Sequence, residues 1–186
     1  LFGTSADPPT RGHQAILTWL AAHFDQVAVW AADNPFKAHR ASLDRRMGML
    51  QALVRDLDPR GQHVSVEPDL SDRRTVLTVQ RARQRWPEAE LWLVVGSDLI
   101  NQMPTWARIQ EIFADASLLV VPRPGYAIAT EALDRLRSLG ANVELASLKG
   151  LPVSSTAYRE RGAREHLPEA VEAYIQREGL YWQEVS

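Results

Sequence analysis

Leu1-Phe2-Gly3-Thr4-Ser5-Ala6-Asp7-Pro8-Pro9-Thr10-Arg11-Gly12-His13 runs from the tail of an apolar strand straight into the first turn of a helix. Leu1 and Phe2 read as the end of that strand, as though the numbering starts late. Gly3 lets the backbone turn and come close to a ligand. Pro8 and Pro9 stiffen the loop. Thr10 is a reasonable N-cap, which puts His13 in the first helical turn, and Gly12 leaves room beside it. The apolar stripe Ile16, Leu17, Leu20 and Phe24 carries the helix on. Free amides and the positive end of the helix dipole would face whatever binds over the loop, which suits a phosphate. The same residues also fit an ordinary capped βα loop, and spacing alone does not choose between the two.

Working outward, the same strand–loop–helix unit repeats. Short β-rich runs are expected at Val27–Ala31, Val64–Val66, Leu91–Val95, Leu118–Val121 and Val143–Leu145. Between them, Leu43, Met47, Leu50, Val54 and Leu57 recur at helical offsets behind the candidate N-cap Ser42. Val76, Val79, Ala82 and Trp86 mark a third helix closed by Pro87, and Leu133, Leu136 and Leu139 a fourth stopped by Gly140. Val171, Tyr174 and Ile175 mark a last one between Pro168 and Gly179. Repeated βα units imply an α/β fold: a doubly wound, mostly parallel sheet with helices on both faces and a helical C-terminal piece. No repeat, low-complexity tract or linker divides the chain, so residues 1–186 read as a single domain. In such sheets ligands bind beyond the carboxyl ends of the strands, so the segments that follow strands matter most.

Composition narrows the chemistry. The formal net charge of −2 over 186 residues gives no basic field to draw the chain to nucleic acid or an anionic membrane. With no cysteine there is no disulfide, no thiolate zinc site and no thiol nucleophile. No apolar run approaches the roughly 20 residues that span a bilayer, and nothing reads as a signal peptide. A soluble, cytoplasmic protein is expected. His23, His39, His63 and His166 lack metal-ligand spacing, and no Walker A loop, GxGxxG or GxSxG is present.

A second segment, Val153-Ser154-Ser155-Thr156-Ala157-Tyr158-Arg159, follows the last strand and opens a helix. Hydroxyls and amides gather at its start, and the Arg159 guanidinium one turn on can fork onto phosphate oxygens. Alone this is as readily a Ser-capped surface helix; paired with the first loop it resembles the nucleotidylyltransferase superfamily, whose marks are an HxGH or TxGH motif and a late SSTxxR-type motif. Further stretches sharpen the match: Asn34-Pro35-Phe36-Lys37, then Arg45, Arg46, Met47 and Leu50, then Gly96-Ser97-Asp98, Pro104-Thr105-Trp106, Ile109, Glu111-Ile112 and Pro122-Arg123-Pro124-Gly125-Tyr126. Taken in order over nearly the full length, the set resembles bacterial nicotinate-nucleotide adenylyltransferases, in particular their cyanobacterial branch.

That resemblance implies an adenylyltransferase of NAD biosynthesis joining ATP and nicotinate mononucleotide into deamido-NAD and pyrophosphate, with Mg²⁺ on the ATP phosphates and no metal site of the protein's own. It implies catalytic roles for His13, Thr10 and Arg159. It assigns ATP contacts to Gly3, Thr4, Ser5, Gly12, Gly96, Asp98, Ser154, Ser155 and Thr156. It assigns acceptor contacts to Lys37, Arg45, Thr75, Thr78, Trp106 and Arg123. Three positions depart from the family pattern: Thr10 stands where the first His of HxGH is usual, Ala6 replaces an aromatic before Asp7, and Arg74 replaces one before Thr75. A phosphate monoester is already anionic near neutral pH, so attack on the α-phosphorus needs alignment and charge neutralisation rather than a general base.

Competing expectations are nicotinamide mononucleotide or another phosphate-bearing acceptor, a transferase making dephospho-coenzyme A, and a non-catalytic nucleotide-binding regulator. A tRNA-binding relative is opposed by the near-neutral charge and the lack of a KMSKS-like loop. Trp106 reads as ligand-facing, Trp19 and Trp92 as core. Asp7 reads as a turn residue. Leu180, Tyr181 and Trp182 read as a docked tail or a homo-oligomer interface.

Overall fold

The computed structural model describes residues 1–34 and 37–181. Along them run β1 (Phe2–Thr4), α1 (Arg11–His23), β2 (Val27–Ala31), α2 (Leu43–Leu57), β3 (Val64–Val66), α3 (Thr75–Arg85), β4 (Trp92–Gly96), α4 (Ile109–Asp115), β5 (Ser117–Val121), α5 (Thr130–Ser138), β6 (Val143–Leu145), α6 (Ser155–Arg161) and α7 (Glu169–Glu178). The hydrogen-bonded strand order is β3-β2-β1-β4-β5-β6. The pairs β1–β4, β2–β3, β4–β5 and β5–β6 are parallel. Chain order reverses at β1 and β4, which is the Rossmann-like pattern expected from alternating strand and helix signals. No helix among the described residues is long and apolar enough to cross a membrane.

Contacts gather the chain into two compact units. One holds Leu1–Gly3 and Asp69–Gly150. Its strands β4 and β5 are apolar without alternation, and Leu93–Val95 and Leu118–Val121 are buried throughout. A continuous apolar run is what a parallel strand covered on both faces requires. Val76, Val79 and Ala82 of α3 are buried, as are Leu133 and Leu136 of α5. Beyond α5, Gly140 takes φ +100°, and the amide of Ala141 reaches back to the Leu136 carbonyl. Two strand boundaries shift: β4 begins at Trp92 rather than Leu91 and ends on Gly96, and β5 begins at Ser117. Helix α4 carried no periodic signal because it spans only seven residues, with Ile109, Ile112 and Phe113 buried.

The other unit holds Thr4–Pro68 and Leu151 onward. All five residues of β2 are buried. Thr10 is the N-cap of α1, and Leu17 and Leu20 are its buried residues; Ile16 and Phe24 are only half-buried. Ser42 caps α2, accepting from the Arg45 amide at 3.4 Å. The buried face of α2 is Arg46, Met49, Leu50, Leu53 and Val54. The expected stripe was turned away from this face, since Leu43, Met47 and Leu57 are only half-buried. Arg46 fills the i position of an i, i+3, i+4, i+7 set, and an arginine hides such a set from a reading keyed to apolar residues. Trp19 and Trp92 are half-buried rather than core, and Trp19 stacks on His23 with ring centroids 3.8 Å apart. Helices α6 and α7 form the helical C-terminal piece, α7 ending at Gly179 with φ +60°.

Candidate active site

The loop from Ser5 to Thr10 joins β1 to α1. Ala6 to Thr10 are all buried. Ala6 holds a left-handed backbone, φ 47°, uncommon for a residue with a Cβ and a feature of functional loops. Thr10 begins α1, and its backbone N–H donates to His13 Nδ1 at 3.0 Å. The Thr10 hydroxyl lies 3.0 Å from the same nitrogen. A Cβ on Gly12 would stand 3.2 Å from Val153 Cγ2 and 3.4 Å from Thr10 Oγ1, so glycine here permits a close approach of two segments.

Asp7 proves to be a hub and not merely a turn residue. It is 2% exposed. Its Oδ2 accepts from the Arg40 amide at 2.8 Å, and its Oδ1 from the Ala41 amide at 3.1 Å and the Tyr181 hydroxyl at 2.6 Å. Burial, and then donation to Asp7, push the Tyr181 phenol well above its ordinary range. Tyr181 also packs edge-on against Tyr158. This residue is therefore docked, as one of the two expectations for the tail had it, while Trp182 lies outside the described residues.

The SSTxxR-like stretch arrives at this loop. Ser154 caps α6, accepting from the Ala157 amide at 3.1 Å. Ser155 Oγ donates to the Pro8 carbonyl at 2.7 Å. Arg159 Nη1 donates to the Asp7 carbonyl at 2.5 Å, and Nη2 to Thr156 Oγ1 at 3.3 Å. Arg40 Nη1 in turn donates to the Arg159 carbonyl at 2.7 Å. Segments about 150 positions apart are thus joined by two side chains, Ser155 and Arg159, from one short helix. The Ser154 amide donates to His166 Nδ1 at 3.3 Å, so His166 supports the cap.

A cation stands beneath. Arg46 is 2% exposed, and its Nη1 donates to the Ser5 carbonyl at 2.9 Å and the Ala32 carbonyl at 2.8 Å. Its Nε is buried without a partner among the described residues, and burial lowers its pKa from the ordinary arginine range. Burial, then the charge of Arg46, likewise lowers His39. Lys37 Nζ donates to Ser5 Oγ at 3.4 Å; its neighbours Pro35 and Phe36 lie outside the described residues. Arg46, Arg40, Asp7 and Tyr181 were not singled out from sequence for this site. Arg45 was, yet it is exposed and ion-paired with Glu178.

Residues 1–161 match the cytidylyltransferase-like family. A probable nicotinate-nucleotide adenylyltransferase of Synechocystis sp. is 47% identical over 98% of both chains. The chain belongs to the nicotinate-nucleotide adenylyltransferase family. Another such relative, from Gemmatimonas aurantiaca, is 32% identical over 97% of this chain and 90% of its own. In fold, the Plasmodium falciparum nicotinic acid mononucleotide adenylyltransferase complexed with NaAD superposes with a TM-score of 0.79 at 16% identity, covering 97% of this chain and 95% of that one. Family members are nucleotidyltransferases, which is the enzyme class expected from the two loop motifs.

The remaining family positions lie in the unit of residues 69–150. Gly96 ends β4, and a Cβ there would collide with Asp98 Oδ1. Asp98 pairs with Arg123 at 2.6 Å, and the Arg123 guanidinium lies 5.5 Å from the Tyr126 ring centroid. Buried Ser97 fastens this turn, donating to the Tyr126 carbonyl and accepting from the Arg123 amide, both at 2.9 Å. Trp106 is half-buried, and so is Thr75, the first residue of α3. Thr78 is different: it is 2% exposed and its hydroxyl donates to the Leu70 carbonyl at 2.8 Å. That is a structural task. We expect Thr78→Val to lower stability by about 1–3 kcal/mol, because it strands a buried carbonyl. KM for the acceptor is expected to stay within twofold or so; thermal melts beside acceptor titrations check both.

Proposed function

We propose that the chain, working as one domain, catalyses adenylyl transfer from ATP to nicotinate mononucleotide, giving deamido-NAD and pyrophosphate. The oxygen of the acceptor's 5′-phosphate bonds to the α-phosphorus of ATP as the bond to the pyrophosphate oxygen breaks. The observation that carries this reading is the pinning of α6 to the β1–α1 loop through Ser155–Pro8 and Arg159–Asp7. It gathers hydroxyls, a guanidinium and the start of a 13-residue helix at the residues that the family motifs mark.

In this reading His13 donates to the α-phosphate, where charge grows as the bond breaks. Ser154, Ser155, Thr156, Arg159 and the loop amides of Gly3, Thr4 and Ser5 hold the phosphates, with Gly12 keeping the loop close. Lys37 adds a cation beside Ser5. Within residues 69–150, Gly96 and Asp98 serve a ribose, and Thr75, Trp106 and Arg123 the acceptor. The donors around Ser5, His13 and Ser155 are N–H and O–H groups, and the only buried carboxylate there among the described residues, Asp7, already accepts from three donors. No cluster of His, Asp and Glu among the described residues could hold a metal. Such a donor set fits phosphate oxygens, and magnesium fits it as part of the substrate, carried on those oxygens. There it supplies positive charge that offsets the charge of the leaving pyrophosphate. The partners in this reading are ATP and a pyridine mononucleotide, and the compartment is the cytoplasm.

The test is product identification with ATP, Mg²⁺ and each mononucleotide in parallel. The acid and the amide differ by a full charge, and a site built for one rejects the other by leaving polar groups unpaired. We expect kcat/KM for the acid to exceed that for the amide by on the order of 10²-fold or more. Equal rates would overturn the acceptor, and absence of dinucleotide with both would overturn the reaction.

A further inference from the structure

The structure assigns Thr10 a positioning role in the reaction proposed above: its backbone N–H and its hydroxyl together fix His13 as the neutral imidazole with the proton on Nε2. The inference rests on that reaction for its consequence and on geometry for its substance. A backbone N–H can only donate, and that of Thr10 points at His13 Nδ1 from 3.0 Å. Nδ1 accepts it with its lone pair, which favours the tautomer with the ring proton on Nε2. The Thr10 hydroxyl, also 3.0 Å from Nδ1, then has one role left to it, that of a second donor to the same lone pair.

Its surroundings enforce that role. Thr10 is 1% exposed, so water does not compete for the hydroxyl. On the Gly12 side the space is closed by Val153, and a Cβ on Gly12 would come within 3.4 Å of the hydroxyl oxygen. The tautomer decides what the ring can do for a phosphate. With the proton on Nε2 the ring offers its outer nitrogen as a donor, which attracts a non-bridging oxygen. With the proton on Nδ1 it would offer a lone pair, which repels one, and would drive two N–H groups together at the helix start. Thr10 thus acts through His13 rather than by touching the phosphate. It also explains how threonine serves where the family usually has histidine: the backbone donor is there whatever the residue, and the hydroxyl adds the second.

The experiment combines nitrogen-15 NMR of the His13 ring with steady-state kinetics, on the full chain as wild type, Thr10→Val and Thr10→Ser. The wild-type ring is expected to show an unprotonated Nδ1 and a protonated Nε2. Thr10→Val, which keeps the shape and loses the hydroxyl, is expected to admit the Nδ1-protonated form and to lower kcat about tenfold, with KM for ATP little changed. Thr10→Ser is expected to restore both. A wild-type ring protonated on Nδ1 overturns the assignment without recourse to any variant. So does a valine variant that raises KM for ATP while the ring signals stand still, since that is a direct phosphate contact. A fall in melting temperature alone, with ring and kcat unmoved, is a helix cap and nothing more, and overturns it too. No dinucleotide from the wild type overturns the reaction and with it Thr10's part; transfer that proceeds with an Nδ1-protonated ring overturns Thr10's part alone.

Discussion

His13→Ala is expected to lower kcat on the order of 10²- to 10³-fold while leaving the protein folded. The size follows from the type of catalysis. With the attacking phosphate already anionic, the enzyme's contribution is alignment plus donors aimed at the charge that grows on the α-phosphate. Removing one well-aimed donor from such a site costs roughly 3–4 kcal/mol of barrier. The fold should survive because His13 is half-buried on the first turn of α1. What alanine forfeits there is the acceptor for the Thr10 amide and hydroxyl, a loss on the order of 1–2 kcal/mol. Pyrophosphate release at saturating ATP and acceptor measures the rate, and a thermal melt reads the fold. A folded variant turning over at the wild-type rate would remove His13 from the mechanism.

Asp7→Ala is expected to be the most damaging single change to stability. The carboxylate is buried, and three donors converge on it: the amides of Arg40 and Ala41 and the hydroxyl of Tyr181. Alanine leaves all three facing a hole. Breaking a buried, hydrogen-bonded charge in this way costs about 3–5 kcal/mol. For a chain of this size that corresponds to a fall in Tm of roughly 6–20 °C. Activity should fall further than stability alone predicts, because the Asp7 carboxylate also faces the Arg159 guanidinium, Oδ2 to Nη1 at 3.9 Å, and a shifted loop displaces the backbone carbonyl that Arg159 holds. A melt within about two degrees of wild type would show that the hub is dispensable.

The framework was legible because it rests on local signals. Val27–Ala31 is an apolar run, Val64–Val66 and Val143–Leu145 alternate apolar with polar residues, and the strands end where those stretches end. Thr10, Ser42 and Ser154 each stand one residue before a helix, where a short side-chain oxygen is favoured. The hub was not legible for the converse reason. Nothing local to Asp7 announces that residues 40, 41 and 181 will reach it, and an acid before two prolines looks like a turn. Arg46 was passed over because burial of a guanidinium depends on finding two carbonyls at strand ends, Ser5 and Ala32, which no helical period reveals. The choice of Arg45 over Arg46 shows the limit plainly: neighbours on one turn, the first paired at the surface and the second enclosed. The burial of Thr78 was hidden similarly, since nothing local shows its hydroxyl meeting the Leu70 carbonyl.

The bond from Tyr181 to Asp7 ties the far end of the described chain to the nucleotide loop. Residues beyond the C-cap of a helix, as Tyr181 is beyond α7, open at lower free-energy cost than a core. Here such opening would not be silent. Once the phenol lifts away, the carboxylate loses one of its three partners and the loop loses a brace. Warming would therefore erode turnover before the bulk of the protein melts, and an activity-versus-temperature curve would roll over below the calorimetric peak.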